Sequence, residues 1–310
     1  MPLAMFAVAM TDRIIELTET PVRLRVDLGR LAIEVNGQAP VFVPMREIAA
    51  IVVSNPAVSL SQSVLAELAK EGGIFVAMSE QFLPIAMLLP LDSHSTQTAR
   101  MAKQAEAPEP TKKRAWQSIV RAKVRAQWEL LEYTGRPQVG LEELLKSVQS
   151  GDPSNVEAQA AARYWKALFG DAFRRNRDAP DQNRLLNYGY AVLRSVTARA
   201  ICGVGLHPSL GVQHHNQYNP FCLADDLMEP YRPLVDRAVL NVVAREGGDG
   251  EMSREVRAEI VSALLGRHAA RGEERTLFDL LSRSAVSCAR VLTGEERDLE
   301  LWVPSCREQT

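Results

Sequence analysis

The sequence predicts an α+β fold in which a small β-rich N-terminal domain is joined by a linker to a larger, all-helical domain. Apolar residues alternate with polar ones, or form β-branched runs, through the first ninety of the 310 residues. A segment without clear periodicity follows, and beyond it the apolar spacing is that of helices. We therefore place the two domains at residues 1–93 and 113–310, with the linker at 94–112.

The N-terminal domain is predicted to consist of short strands and one helix. Leu24, Val26 and Leu28 alternate with charged residues, which is the period of a strand with one buried face. Asn36-Gly37 predicts a tight hairpin. The predicted elements are strands at 24–28, 31–35, 41–43, 48–53, 74–78 and 85–89, and a helix at 61–71 that Gly72-Gly73 ends.

The first helix of the second domain, predicted at 113–133, has two distinct faces. Apolar residues recur at four-residue spacing over 116–131. Arg114, Arg121 and Arg125 fall together on another side, as either a solvated face or a stripe that contacts phosphates; both interpretations stay open. Further helices are predicted at 141–149, 153–168, 182–203, 225–245, 253–270 and 277–292.

The composition argues against several classes of protein. None of the four cysteines forms a Cys-x-x-Cys pair, so a zinc knuckle or redox motif is not expected. The apolar stretch 83–90 is too short to span a membrane and is predicted to be a buried strand. Residues 1–10 lack the basic start of a signal peptide, which predicts a soluble cytoplasmic protein. The formal net charge of −2 argues mildly against nucleic acid, although the distribution of charge matters more.

Three segments of the helical domain carry residues that can bind a metal. The first contains Glu157, which follows a predicted helix start: Asp152 is expected to cap the helix and Pro153 to occupy its first position. A carboxylate just past the first turn can face a cleft, although most helical glutamates are simply solvated. The second segment is a predicted loop with the adjacent histidines His214 and His215, for which a structural role has equal weight.

The third segment places Asp226 and Glu229 three residues apart, on one face of a helix predicted to begin at Asp225 or Asp226. Helix capping would explain one of the aspartates but not Glu229, which precedes a proline. Two carboxylates and an imidazole suit Mg²⁺ or Mn²⁺ better than zinc, and they leave positions for water and phosphate. An ion held by Glu157, His214 and Glu229 could polarise a phosphodiester, but the spacing alone does not bring the three segments together.

At these segments the chain resembles the CRISPR-associated spacer integrase/endonuclease family (Cas one), most nearly its type II form. The resemblance covers nearly the whole chain, including residues 12–16 and the linker. It is carried by Asn-Val-Glu-Ala-Gln at 155–159 with Arg-Tyr-Trp at 163–165, by Leu-Leu-Asn-Tyr-Gly-Tyr-Ala-Val-Leu-Arg at 185–194, by Gly-Leu-His-Pro-Ser-Leu-Gly at 205–211, and by Asp-Leu-Met-Glu-Pro-Tyr-Arg-Pro at 226–233.

The resemblance implies that the N-terminal domain dimerises and that the helical domain is a nuclease. It also implies that Glu157, His214 and Glu229 are the metal ligands and catalytic residues, with His215 as a competitor for His214. Asp226 is then expected to orient a ligand or a water. The implied cofactor is Mg²⁺ or Mn²⁺.

The activity implied is the joining of 3′-OH ends of short DNA duplexes (spacers) into the CRISPR repeat by transesterification. The implied partners are double-stranded DNA, a second copy of the chain, and the small companion protein Cas two in a heterohexamer. Whether the type II effector nuclease also takes part stays open. No membrane partner is expected.

Two rival functions remain at this stage. The basic face of the 113–133 helix is also compatible with a non-catalytic DNA-binding scaffold, and bound zinc would favour a zinc hydrolase acting on a small substrate. The aromatic pair Tyr188 and Tyr190 either belongs to the core, which its helical spacing favours, or approaches the DNA. The remaining candidates for DNA contact, which the sequence does not separate from surface or interface residues, are Arg163, Arg174, Arg175 and Arg177.

Overall fold

The chain divides into two units, Met1–Leu91 and Asp92–Thr310, in a computed structural model that describes residues 13–18, 20–79, 84–90, 94–247 and 252–306. The segment 1–10, predicted to lack a signal peptide, lies outside the described residues. Among the described helices, none combines the length and apolar character that crossing a membrane requires.

The described part of the first unit contains two four-stranded sheets, in the strand orders β1-β5-β7-β8 and β4-β3-β2-β6. The apolar pattern of the sequence predicted which side chains point inward. Leu24, Leu31, Ile51 and Leu68 are buried in one shared core. Its elements are β1 Arg13–Leu17, β2 Val22–Asp27, β3 Arg30–Val35, β4 Val41–Pro44, β5 Ile48–Val53, β6 Ser59–Leu60, α1 Gln62–Lys70, β7 Ile74–Met78 and β8 Pro84–Leu88.

A tight hairpin that the sequence did not predict precedes the one that it did predict. Leu28 and Gly29 have φ angles of +49° and +75° and connect β2 to β3, which is the conformation of a two-residue hairpin turn. Leu28 is therefore 90% exposed and does not extend the apolar face of β2. Asn36-Gly37 forms the predicted turn between β3 and β4, since the N–H of Gln38 donates to the carbonyl oxygen of Val35 at 3.1 Å and Gly37 has a φ of +79°. The connection is longer than a two-residue hairpin, because the last paired residues are Ile33 and Val41.

The prediction of a buried strand at 83–90 is wrong for the part that the structure describes. Among the described strands, β8 is the last of its sheet and pairs with β7 alone. Ile85 is 71% exposed in consequence, because an edge strand is covered on one side only. Leu83 lies outside the described residues.

Helices dominate the second unit, but it is not all-helical as predicted. The hairpin of β9 and β10 turns at Arg271 and Gly272, both with positive φ, where the sequence predicted the end of one long helix. The elements are α2 Gln97–Ala105, α3 Glu109–Tyr133, α4 Leu141–Ser147, α5 Val156–Phe169, α6 Asn183–Gly203, α7 Cys222–Met228, α8 Arg232–Glu246, α9 Arg254–Leu265, β9 Arg267–Ala270, β10 Glu273–Thr276 and α10 Leu277–Leu292.

The predicted linker at 94–112 is instead part of this unit. It contains α2 and the first residues of α3. The buried side chain of Gln104 donates hydrogen bonds of 2.9 Å to the carbonyl oxygens of both His207 and Leu210, and it accepts one of 2.8 Å from the His207 N–H. The polar composition of the segment concealed this helix, because its sequence shows no apolar face and it attaches to the unit through hydrogen bonds of Gln104 and of Arg100, which donates to the carbonyl oxygen of Val204 at 2.7 Å.

The predicted helix at 225–245 is broken in two. Prolines at positions 230 and 233 cannot donate backbone hydrogen bonds within a helix, and a 3-10 turn, Glu229–Tyr231, separates α7 from α8. Helix α7 begins at Cys222, so Asp225 and Asp226 lie inside it and cap nothing at its start, contrary to the prediction.

Helix α6 runs through the core of this unit. Tyr188 and Tyr190 are buried on it, which confirms that they belong to the core. Gly189 lies between them because a Cβ at this position would be 2.3 Å from Cγ1 of Val235 on α8. The glycine thereby allows α8 to pack closely against α6, which positions the turn that carries Glu229.

Candidate metal centre

Glu157 lies in the first turn of α5, where its position depends on Asp152. The carboxylate of Asp152 accepts the backbone N–H groups of Val156 at 2.8 Å and Glu157 at 2.9 Å. Asp152 therefore caps the helix as predicted. The helix nevertheless begins later than predicted, at Val156 after a left-handed Asn155 (φ +51°), and Pro153 lies outside it.

Glu229 lies in the turn between α7 and α8 and is buried between two cations. Arg232 Nη2 is 2.9 Å from Glu229 Oε1, and Lys123 Nζ is 2.5 Å from Oε2. Burial alone would raise the pKa of the Glu229 carboxyl, but the charges of Arg232 and Lys123 outweigh it and hold that pKa at about 2. The side chain is therefore a buried, ionised carboxylate, which is the form that binds metal ions.

Lys123, on α3, joins the two glutamates. Its ammonium is also paired with Glu157, and only 9% of the side chain is exposed. Burial lowers the pKa of Lys123, but the negative charges of Glu229 and Glu157 raise it above its ordinary value. Sequence reasoning missed this residue, although its signal was present: position 123 falls between Val120 and Val124 on the buried side of α3.

Asp226 holds His214 from the interior. Its fully buried carboxylate accepts the backbone N–H groups of Val212 at 2.7 Å and Gln213 at 3.0 Å, and it lies 2.5 Å from Nδ1 of His214. The hydrogen bond to Asp226 raises the pKa of His214, against the opposing effect of burial. With Nδ1 engaged, Nε2 is the nitrogen left for a ligand.

Two further contacts fix the loop of His214. The indole of Trp116 lies edge-on to the imidazole, with ring centroids 5.8 Å apart and an interplanar angle of 88°. A Cβ at Gly211 would be 2.4 Å from the carbonyl oxygen of His214, so only glycine fits there without moving the loop. By contrast, no hydrogen bond or ion pair joins the exposed His215 to the rest of the described chain.

Glu157 borders two cavities. The first, of about 300 Å³, is also lined by Lys123 and Glu229. The second, of about 350 Å³, is also lined by both His214 and His215. The two glutamates thus meet at one ammonium, whereas His214 lines the second cavity together with Glu157.

The three predicted ligands do not form a closed cluster. Within the described part of the chain, no group of three or more His, Cys, Asp and Glu side chains is close enough to hold an ion. The donor set nevertheless fits a divalent cation, because the carboxylates of Glu157 and Glu229 face one cationic position. Glu229 Oε2 in addition is buried, and among the described residues the ammonium of Lys123 is the cation that compensates it.

Arg175 gives the first cavity an arginine without an acidic partner. Its guanidinium donates hydrogen bonds to the side-chain oxygens of Asn183 at 2.8 Å and Asn187 at 2.7 Å. Both partners are neutral amides, and no carboxylate of the described residues pairs with this arginine. Burial lowers the pKa of Arg175. Arg177 also lines the cavity, so two of the four undecided arginines lie beside the glutamates.

The other basic candidates lie elsewhere. Arg163 donates to the carbonyl oxygen of Val139, and Arg174 donates to carbonyl oxygens of its own loop. On α3, Arg114 donates to the hydroxyl of Thr111 and Arg121 to the carbonyl oxygen of Val148, whereas Arg125 is exposed. The choice between a solvated face and a phosphate stripe stays open for these residues.

The buried carboxylate of Asp236 helps to position Arg232 through Tyr190. Asp236 accepts hydrogen bonds from the hydroxyl groups of Tyr164, at 2.7 Å, and Tyr190. Burial raises the pKa of Asp236 to about 6, although both hydroxyl groups lower it. The guanidinium of Arg232 lies 4.5 Å from the centre of the Tyr190 ring. This packing directs Arg232 towards Glu229.

The family model and the curated relatives that match this chain carry the same family name. The model of a family described as CRISPR associated protein Cas1 matches residues 15–260. A CRISPR-associated endonuclease Cas1 from Neisseria meningitidis serogroup C (strain 8013) is 37% identical over 244 residues, which cover 78% of this chain and 80% of the relative. A CRISPR-associated endonuclease Cas1 from Saccharolobus solfataricus is 29% identical over 248 residues, covering 73% and 69% of the two chains.

Solved structures share the fold. A casposase bound to integration product has a TM-score of 0.75 at 20% identity, covering 93% of this chain and 92% of the other. A Cas1 protein from Thermotoga maritima has a TM-score of 0.72 at 18% identity, with coverages of 94% and 98%. A chain of a Cas6-RT-Cas1–Cas2 complex has a TM-score of 0.75 at 16% identity, but only 36% of that chain is covered.

Proposed function

The chain belongs to the CRISPR associated protein Cas1 family, and we therefore propose that it is a divalent-metal-dependent DNA endonuclease and integrase of CRISPR adaptation. In this proposal it joins the 3′-OH ends of short DNA fragments to the CRISPR repeat. The observation that carries the proposal is the meeting of Glu157 and Glu229, from separate elements, at one buried cationic position. This position opens to a cavity that also carries Arg175.

The proposed ligands of Mg²⁺ or Mn²⁺ are Glu157, Glu229 and Nε2 of His214. When bound, the ion polarises the phosphodiester and stabilises the leaving oxygen. Arg175 binds a non-bridging phosphate oxygen and holds the strand in line for attack. In the joining reaction one P–O bond forms to the incoming 3′-oxygen and one breaks to the departing 3′-oxygen, which takes up a proton. Water in place of the 3′-OH gives hydrolysis at the same site.

The proposed partners follow from the family. They are double-stranded DNA from the spacer precursor and the repeat, a second copy of the chain, and the companion Cas2 in a heterohexamer. The relatives supply the support: one neighbour is a casposase bound to integration product, and another is part of a complex that contains Cas2. Participation of a type II effector nuclease and location in the cytoplasm are further parts of the proposal.

Removal of divalent metal tests the function directly. Purified protein, together with its Cas2 partner, is incubated with a 3′-OH duplex and repeat DNA, with EDTA or with added Mg²⁺ or Mn²⁺. We expect joining only with added metal, at unchanged DNA binding. A DNA-binding scaffold would join nothing under any condition and would bind DNA equally with EDTA. Tightly bound stoichiometric zinc without joining would favour the zinc hydrolase.

Arg175→Ala is expected to weaken DNA binding roughly tenfold at low salt. It should also reduce the slope of log affinity against log salt concentration by about one, which corresponds to the loss of one phosphate contact. The physical reason is that no carboxylate of the described residues pairs with Arg175, so its charge is available to the DNA. Fluorescence anisotropy at several salt concentrations measures both effects. Arg174→Ala removes a neighbouring exposed arginine and serves as the control. Equal losses in both variants would show that only the net charge of the loop matters.

A further inference from the structure

Lys123 is buried at the position where the two candidate ligand carboxylates meet. Its described ion-pair partners are Glu157 and Glu229, and its side chain is almost inaccessible to solvent. A buried lysine is costly unless acidic groups compensate it, and here two carboxylates do so. In the absence of metal the ammonium therefore neutralises a site that would otherwise hold two adjacent negative charges.

A divalent ion and this ammonium cannot occupy the site together. Lys123 Nζ is 2.5 Å from Glu229 Oε2. An Mg²⁺ ion binds carboxylate oxygens at about 2.0–2.1 Å, so an ion bound to both glutamates would stand almost where Nζ stands. Two cations at such a separation repel strongly in a site of low dielectric constant. Arg232, which pairs with the other oxygen of Glu229, can stay in place.

A cavity beside the two glutamates can accept the displaced ammonium of Lys123. The cavity of about 300 Å³ is lined by Lys123 itself and by Gln127, so the flexible side chain can swing into it without rearrangement of α3. Movement away from the glutamates exchanges one monovalent cation for one divalent ion.

We propose that Lys123 is a built-in competing cation, which holds Glu157 and Glu229 together in the metal-free protein and must be displaced when the metal binds. The inference rests on the proposed function, because it takes the same two glutamates as metal ligands. Two effects follow: Lys123 stabilises the metal-free fold, and it weakens the affinity for metal.

Lys123→Met tests this inference by metal binding rather than by catalysis. Metal-free wild type and variant, as full chains, are titrated with Mn²⁺ by calorimetry or by electron paramagnetic resonance, and both are melted with and without Mn²⁺. We expect a lower Tm of the metal-free variant, a dissociation constant for Mn²⁺ at least tenfold smaller, and a larger increase of Tm with Mn²⁺. Lys146→Met, which removes an exposed lysine paired with Glu142, should change none of these.

The alternatives give different results. If Lys123 instead holds the glutamates in their ligating position, Lys123→Met will bind Mn²⁺ equally or more weakly, which overturns the inference while leaving the metal site intact. Binding of Mn²⁺ by neither protein would overturn both the inference and the proposed metal site. Binding by the variant alone would support the inference and contradict metal dependence of the natural chain.

Two further variants test the inference if Lys123→Met folds poorly. Lys123→Gln keeps a polar side chain at the position. The double variant Lys123→Met/Glu157→Gln removes one charge of each sign, so it should recover much of the lost Tm but not bind Mn²⁺ tightly. If the double variant melts as low as Lys123→Met, the loss of stability does not come from the unbalanced carboxylates, and the inference fails.

Discussion

Glu229→Gln is expected to reduce the rate of DNA joining at least a thousandfold, which is about 4 kcal/mol of transition-state free energy, at DNA affinity within about threefold of the wild type. The substitution keeps the shape of the side chain but removes the charge that a divalent ion needs. Glu157→Gln should have a similar effect on joining. The measurement is joining of a labelled 3′-OH duplex to repeat DNA in Mn²⁺, with binding followed separately.

The two variants should differ in stability. Glu229 is buried between Lys123 and Arg232, so Glu229→Gln leaves two cations undercompensated and is expected to lower the free energy of unfolding by about 3 kcal/mol. Glu157 retains 28% side-chain exposure, so the loss in Glu157→Gln should be smaller. Because the pKa of Glu229 is about 2, below its ordinary value of 4.5, this contribution is present above about pH 4.5 and is lost as the pH falls towards 2.

Glu142→Gln is the matched control, since Glu142 also pairs with a lysine but is exposed on α4. It should leave joining, Mn²⁺ affinity and Tm unchanged. Full joining activity in either Glu157→Gln or Glu229→Gln would remove that residue from the ligand set. If joining fell only in proportion to Tm, the glutamates would be structural rather than ligating.

The elements that periodicity predicted well are those whose apolar pattern continues over many residues. Helix α6 was predicted within one residue at its start, because almost every turn of it is buried. The hairpin β9–β10 and helix α2 were missed because they are short and polar. The break at Glu229–Tyr231 could have been predicted, since Pro230 and Pro233 cannot donate hydrogen bonds within a helix.

The site was predictable in its acidic residues but not in its cation. Glu157 was identified from its place after a predicted helix start, Glu229 from its place before a proline, and both from family resemblance. Sequence spacing could not show that they share Lys123. That fact depends on the packing of α3 against the turn of Glu229, which is a tertiary contact between residues more than a hundred positions apart. Capping was expected of Asp225 or Asp226 and is not found, whereas the family resemblance implied that Asp226 orients a ligand, and its carboxylate does contact the imidazole of His214, twelve residues earlier in the chain.

Asp226 is the second position where we expect a large effect, and two substitutions should separate its roles. Asp226→Ala removes the acceptor of the N–H groups of Val212 and Gln213. We expect the free energy of unfolding to fall by about 3 kcal/mol, or a Tm lower by roughly 6–12 °C, together with loss of joining. Circular dichroism melts and the joining assay measure the two losses.

Asp226→Asn should lose joining at a much smaller cost in stability. The amide oxygen can still accept the N–H groups of Val212 and Gln213. The amide N–H₂, however, would face Nδ1 of His214 and donate to it. The imidazole proton then moves to Nε2, the nitrogen that must be free to bind the metal. We therefore expect joining and Mn²⁺ affinity to fall as far as in His214→Ala, by about a thousandfold in rate, while most of the Tm is retained.

Asp225→Asn distinguishes this effect from damage to α7. Asp225 is the adjacent buried aspartate, and it pairs with Arg194 at 2.6 Å and Asn219 at 2.7 Å instead of with the imidazole. Its substitution should lower Tm but keep Mn²⁺ affinity within about threefold, because Nδ1 of His214 keeps its acceptor. Mn²⁺ affinity that falls equally in Asp225→Asn and Asp226→Asn would mean that α7 acts through its packing. In that case the tautomer of His214 would not be what Asp226 controls.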